Sequence, residues 1–263
     1  MNTQNLPPPI RAQMGDRQLR ADTIGESGSH VYAVGRDMFL KIDNSDSSVP
    51  MEANMLSWLC GKLPVPKVIE THDDGENYYL LMSKVDGEMA CSDDNMLVPE
   101  TTIRLLAEGI RMFQGTLSDG CPRIRDTDAM LKAAIASIEN GDFDDHDWSW
   151  DLTADLGLTS TMAVYNYLAN NKPKEELVLA HGDFCLPNVM LKDGCIKAFI
   201  DLGDCGVSDK WYDIMMCRWS IGYNLCSRNV IFTREYEDLF FDSLGVAPDE
   251  DKLKYYEILS TFA

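Results

Sequence analysis

Asp183, Asn188 and Asp201 have the types and spacing of a phosphoryl-transfer centre. The first two lie in His181-Gly182-Asp183-Phe184-Cys185-Leu186-Pro187-Asn188, an Asp-x-x-x-x-Asn pattern. Asp201 follows the apolar run Ala198-Phe199-Ile200 and opens Asp201-Leu202-Gly203. An asparagine oxygen facing a carboxylate offers hard ligands that suit Mg²⁺, a cation that nucleotide phosphates also coordinate. Asp183 would then accept the proton of an attacking hydroxyl. Upstream, Lys41 closes a β-type run and Glu52 follows in a helical one. A strand lysine held by a helix glutamate is a device for gripping α- and β-phosphates. An exposed Lys–Glu pair would be worth only ~0–1 kcal/mol; its place ahead of the Asp183 loop favours the functional reading.

These residues need a hairpin, a sheet and a helix to bring them together. Val189-Met190-Leu191, the turn Lys192-Asp193-Gly194, and Ile196 to Ile200 read as strand–turn–strand, which draws Asn188 towards Asp201. Before them, β-branched and aromatic residues predict strands at Thr23-Ile24, 31–34, 38–42, Val68-Ile69 and 78–82, with a helix over 52–63. Residues 1–20 read as a loosely attached start with room for one short helix. A turn at 25–29 places Ser27 in a flap between strands. It lacks the Gly-Lys-Ser/Thr ending of a Walker loop, and an ordinary hairpin is its simpler reading. Beyond a crossing at 83–87, helices are expected at 100–117, 130–138, 160–169, 210–226, 233–243 and 249–260. The expected fold is α+β in two lobes. Residues 1–86 form a small antiparallel sheet with one main helix that binds nucleotide, and 87–263 form a mostly helical lobe for catalysis and acceptor binding.

Composition narrows the partners. A chain of 263 residues is long enough for two lobes, and no apolar run approaches the ~20 residues needed to cross a bilayer. With 23 basic and 43 acidic residues the net charge is −20, which disfavours nucleic acid and anionic membranes and favours a cationic ligand. The eight cysteines include no Cys-x-x-Cys pair and the N-terminus shows no secretory pattern, so reduced thiols and a cytoplasmic location are expected. Residues 139–155 concentrate acids with Phe143, Trp148 and Trp150 among them, a composition read as an ordered acidic flap. Within it, Asp142, Asp147 and Asp151 are acceptor-site candidates.

The chain resembles the aminoglycoside 3'-phosphotransferases, antibiotic kinases with a protein-kinase-like fold. The resemblance rests on Gly61-Lys62-Leu63-Pro64-Val65-Pro66-Lys67-Val68, Leu80-Leu81-Met82-Ser83, the 181–188 loop, Ile200-Asp201-Leu202-Gly203, Asp209-Lys210-Trp211-Tyr212-Asp213-Ile214, and Leu239-Phe240-Phe241-Asp242. It runs from about residue 20 to the end, with Gly182 where protein kinases carry Arg. It implies MgATP-dependent transfer of the γ-phosphoryl group to a hydroxyl of a cationic aminocyclitol sugar, the 3'-hydroxyl first, with GTP left open as donor. Asp183 would be the catalytic aspartate, Asn188 and Asp201 the Mg²⁺ ligands, and Lys41 with Glu52 the phosphate grip. Ser27 would lie in the flap, Phe39 would stack on adenine, and Ser83 to Val85 would offer hinge backbone groups. His181 is expected to hold the loop by a hydrogen bond, since Asp183 already takes the proton. A monomer or weak dimer is expected.

Acceptor-side positions depart from the family pattern. Asp204 replaces an Arg, and Arg218-Trp219-Ser220-Ile221 shifts an Arg by one position, about 100° around a helix. Tyr223-Asn224 replaces an acidic pair. Ser260-Thr261-Phe262-Ala263 replaces a closing acidic pair and aromatic residue, which leaves the α-carboxylate of Ala263 as the only charge there. Asp204 and the acidic flap are the expected substitutes. Three readings stay open: an aminoglycoside kinase, a kinase of another hydroxylated cationic antibiotic or metabolite, and a silent ligand-binding protein. A protein-kinase role lacks its Ala-Pro-Glu segment and activation loop.

Overall fold

The computed structural model describes residues 5–21, 29–141 and 150–262. Its α+β chain forms two compact units: Met1–Leu105 with Leu186–Cys205, and Leu106–Cys185 with Gly206–Ala263. Chain order had suggested 1–86 and 87–263, whereas the 186–205 hairpin belongs with the first unit.

In the first unit, β1 (Leu19–Ala21), β2 (His30–Val34), β3 (Met38–Asn44), β4 (Val68–Asp73) and β5 (Asn77–Ser83) form an antiparallel sheet ordered β1-β2-β3-β5-β4. The expected strand at Thr23-Ile24 lies outside the described residues. Side chains alternate across β3, so Met38, Leu40 and Ile42 face one way while Phe39 and Lys41 face the other. The former join a core with Leu6 and with Ile10 and Met14 of α1 (Pro8–Met14). The start of the chain is therefore packed rather than loosely attached. Ile10 and Met14 stand at i,i+4 on one helix face, with 0% and 1% of their surface exposed. On the Lys41 side, α2 (Val49–Leu59) buries Glu52 together with Met55, Leu56 and Leu59. This helix begins three residues earlier than expected, because Pro50 suits a first helical turn.

The same unit holds a second sheet. β6 (Glu88–Met89) pairs with β8 (Val189–Lys192), and β8 pairs with β9 (Cys195–Phe199). The Phe199 N–H donates to the Pro64 carbonyl at 2.9 Å, which fastens the hairpin to the segment after α2. Helix α3 (Asp93–Met96) leads into α4 (Pro99–Gln114), whose chain passes from one unit to the other at residues 105–106.

The second unit contains β7 (Leu177–Ala180) and β10 (Gly206–Asp209) as an antiparallel pair, with α5 (Thr127–Asn140), α6 (Thr161–Asn170), α7 (Lys210–Cys226), α8 (Arg234–Leu244) and α9 (Glu250–Ser260). Asp209 ends β10 and caps α7 by accepting from the Trp211 N–H at 2.8 Å. Its other oxygen accepts from the Glu176 N–H and from the buried Lys252 ammonium. Tyr212 of α7 meets Tyr256 of α9 edge to face at 6.0 Å, a geometry favoured by the ring quadrupoles. Among the described residues, no helix is long and apolar enough to cross a membrane.

Candidate active site

Lys41 is the centre of the first unit's polar cluster. Its ammonium donates to Glu52 at 2.9 Å and to Asp201 at 2.8 Å. A strand, the helix that follows it and a segment 160 residues beyond Lys41 thus converge on one nitrogen. Burial works against the Lys41 charge, but the two carboxylates outweigh it and hold its pKa above the ordinary 10.5. Burial pushes the Glu52 carboxyl up, while Lys41 and the Leu202 N–H pull it back. That last contact ties Asp201-Leu202-Gly203 to α2. Gly203 packs closely on the helix start, since a Cβ there would stand 3.0 Å from the Ser48 hydroxyl and would oblige Ser48 to shift.

Asn188 and Asp201 occupy the same open end of the β8–β9 hairpin. Val189 pairs with Phe199, and the Ile200 N–H donates to the Asn188 carbonyl at 3.0 Å. Asp201 has φ of +59°, a left-handed conformation uncommon outside glycine, and its side chain is 41% exposed. One exposed carboxylate beside one carboxamide suits Mg²⁺, which keeps waters and phosphate oxygens in its shell and needs few protein ligands. The donor set therefore fits the expected metal. Among the described residues there is no cluster of three or more His, Cys, Asp or Glu that could hold an ion without a nucleotide.

The nucleotide candidates line the same unit. Phe39 shares the Lys41 face of β3, and Ser83 ends β5 with its hydroxyl accepting from the Lys67 N–H at 2.9 Å. Val85 follows outside any helix or strand, half-buried. Asp204 is half-buried just after Gly203. Ser27, Asp142, Asp147 and Ala263 lie outside the described residues. Asp151 enters a 3-10 helix, Trp150–Leu156, by its backbone, while its side chain is outside the described set.

Asp183 sits in the second unit, half-buried in a loop held from several sides. Buried His181 accepts the Asp183 N–H on Nδ1 at 3.3 Å and packs edge-on to Phe184, which suits a structural role. Gly182 has φ of +85°, a conformation for which the Arg of protein kinases is poorly suited. Its carbonyl accepts from Arg125 at 3.1 Å. The Cys185 thiol is bonded to the Asp183 carboxylate on one side and to Ser220 on the other; burial first, then Asp183, pushes that thiol up.

Sequence reasoning quoted Asp213 only as part of a similar stretch and gave it no task. Its buried carboxylate accepts from the His181 N–H at 2.6 Å and the Gly182 N–H at 2.9 Å. Burial pushes its carboxyl up, while the His181 ring, these two N–H groups and Arg125 act in the other direction. An acid four residues into an otherwise apolar helix start was the available signal. Asp213→Ala leaves two buried donors unsatisfied, at about 1–3 kcal/mol each. The expected result is a drop in Tm, with kcat falling roughly 10- to 100-fold as the loop shifts. Thermal unfolding alongside steady-state kinetics reads both.

Comparisons with known proteins agree with this geometry. A family model described as "Phosphotransferase enzyme family" matches residues 19–253. An aminoglycoside 3'-phosphotransferase from Staphylococcus aureus is 38% identical over 271 residues, covering 98% of both chains. One from Enterococcus faecalis is also 38% identical, with the same coverage. Among solved structures, an aminoglycoside phosphotransferase APH(3'')-Id from Streptomyces rimosus superposes with a TM-score of 0.81 at 23% identity, over 97% of this chain and 96% of that one. An aminoglycoside-3'-phosphotransferase of type VIII gives 0.81 at 24% identity with the same coverage. These likenesses establish the expected α+β kinase-like scaffold. The chain belongs to the phosphotransferase enzyme family and, within it, to the aminoglycoside 3'-phosphotransferases.

Proposed function

We propose that this protein transfers the γ-phosphoryl group of ATP to a hydroxyl of an aminoglycoside antibiotic, with the 3'-hydroxyl first. The observation that carries the reading is the Lys41 ammonium clasped by Glu52 and Asp201, the arrangement that prepares a cation for triphosphate oxygens. The names of the two relatives at 38% identity support the acceptor class. A Streptomyces rimosus relative solved in complex with ADP and streptomycin supports nucleotide use.

In this reading the acceptor hydroxyl attacks the γ-phosphorus and its proton passes to the Asp183 carboxylate. The bond from the γ-phosphorus to the β–γ bridging oxygen breaks, and ADP leaves with that oxygen. Lys41 neutralises the α- and β-phosphate oxygens and Glu52 orients Lys41. Phe39 stacks on adenine, while the backbone at Ser83 to Val85 meets its edge. Ser27 lies over the phosphates. Asn188 and Asp201 would hold Mg²⁺, which supplies charge stabilisation at the phosphates when bound. The protein's own share is positioning and charge placement. We place this reaction in the cytoplasm, where ATP is available.

Asp201→Ala keeps the buried Lys41–Glu52 pair, so the unit folds. Mg²⁺-dependent nucleotide binding is expected to weaken by at least roughly 10- to 100-fold. Titration calorimetry with ADP, with and without Mg²⁺, is the measurement, and an unchanged metal effect removes Asp201 from the cation site. A second reading, a kinase of another hydroxylated cationic antibiotic, is favoured by Ser260 and Thr261 standing where the family has acids. Asp204, Asp142, Asp147 and Asp151 would then supply the negative charge around the acceptor. Coupled ADP release over a panel of aminoglycosides and other hydroxylated antibiotics separates the two. Turnover on kanamycin-like compounds supports the first, turnover elsewhere the second, and none at all sinks both.

A further inference from the structure

We infer that Trp219 and Tyr223 form an aromatic wall of the acceptor site, taking an ammonium-bearing ring face of the aminoglycoside; this rests on the proposed function. The two rings are stacked one turn apart on α7, with centroids 5.3 Å apart and planes 15° apart. They are 50% and 62% exposed, so the stack presents open π-surface to solvent.

Its place on the helix ties it to the reacting end of the molecule. At the start of α7, Asp213 fixes the backbone of the Asp183 loop. Seven residues on, about 10 Å along the axis, Ser220 reaches the Cys185 thiol that is bonded to Asp183. Asn224 continues this strip, its amide donating to the Ser220 carbonyl at 2.9 Å. Trp219 and Tyr223 each precede a strip residue by one position. They therefore stand about 100° round from the strip and border it rather than lying opposite. The stack thus flanks the strip whose Asp213 and Ser220 meet the Asp183 loop.

The chemistry selects a cation. Among the described residues the cation–π pairs are Lys62 over Trp58 and Arg125 over Tyr212, so this stack is not covered by a protein charge. Arg218, its sequence neighbour, is turned to Glu237 at 2.6 Å. A net charge of −20 draws polyamines to the surface. Aromatic faces bind ammonium groups through the ring quadrupole, and carbohydrate C–H faces pack on them as apolar surface. The stack thus supplies by π-surface what a carboxylate would supply by charge, with less dependence on ionic strength.

The test is steady-state kinetics with kanamycin for wild type, Trp219→Ala, Tyr223→Ala and Trp219→Phe. The two alanine variants are expected to raise the kanamycin KM roughly 3- to 30-fold, with the ATP KM unchanged and kcat little altered, while Trp219→Phe recovers most of the affinity. An unchanged kanamycin KM in both alanine variants, or an equal rise in the ATP KM, overturns the wall and leaves the proposed function standing. A wild-type dimer that Trp219→Ala converts to monomer also overturns it, by assigning the face to a second copy of the chain. A wild-type protein that phosphorylates no aminoglycoside fails the underlying function instead, and the wall falls with it.

Discussion

Asp183→Asn is expected to lower kcat by about 10²–10⁴-fold while nucleotide affinity stays near wild type. The substitution removes the proposed proton acceptor and little else. The loop's backbone is fixed by Asp213 and Arg125, and neither contact uses the Asp183 side chain. An amide oxygen can still accept from the Cys185 thiol. Because the lost interaction belongs to the transition state, kcat and kcat/KM for the acceptor should fall together. Single-turnover phosphorylation and ADP calorimetry separate chemistry from binding. Wild-type turnover in the variant removes Asp183 from the mechanism.

Lys41→Ala carries the second large effect, and it acts on folding as well as activity. Glu52 is 1% exposed, so once Lys41 is gone it must either hold a buried charge without its nearest cation or take up a proton, and both cost stability. Breaking one side of a buried pair costs about 3–5 kcal/mol. Loss of a cation at the phosphates should lower kcat/KM for ATP by roughly 10²–10³-fold. The double variant Lys41→Ala/Glu52→Gln separates the effects, since it should regain much of the Tm and none of the activity. If the double variant is no more stable than Lys41→Ala, the buried charge is not the cause. The pH dependence has a definite sign. The folded-state pKa of Lys41 is raised, so its stabilising contribution is complete below the unfolded value near 10.5. It is lost only as pH rises through the higher folded value. The pH profile of kcat/KM for ATP should therefore show no limb from Lys41 at or below neutrality.

The clasp was legible in sequence because its parts are local motifs: a β-rich run ending in Lys41, a helix carrying Glu52, and a hairpin ending in Asp201. The 210–226 helix was also read to its observed bounds. What escaped has a common cause. Strands β7 and β10 have four residues each, lie 25 residues apart, and make sense only as a pair framing the Asp183 loop. Asp213 carried no visible task because its partners are backbone N–H groups, which every residue type offers. The packed start of the chain was hidden by its prolines, and the burial of Ile10 and Met14 depends on a sheet whose strands come later. Residues 142–149 of the 139–155 acidic flap lie outside the described residues, Asp142 and Asp147 among them.

The first unit is interrupted in sequence: residues 1–105 are completed only by 186–205. A nascent chain emerging from the ribosome must therefore wait a further hundred residues, about 5–20 s of synthesis, before Asp201 can reach Lys41. Until then the growing first unit lacks the β8–β9 hairpin and presents β6 without its neighbour. Split reporters or truncations that cut the gene between the two segments would separate this unit from its own last strands, so workable breakpoints belong elsewhere.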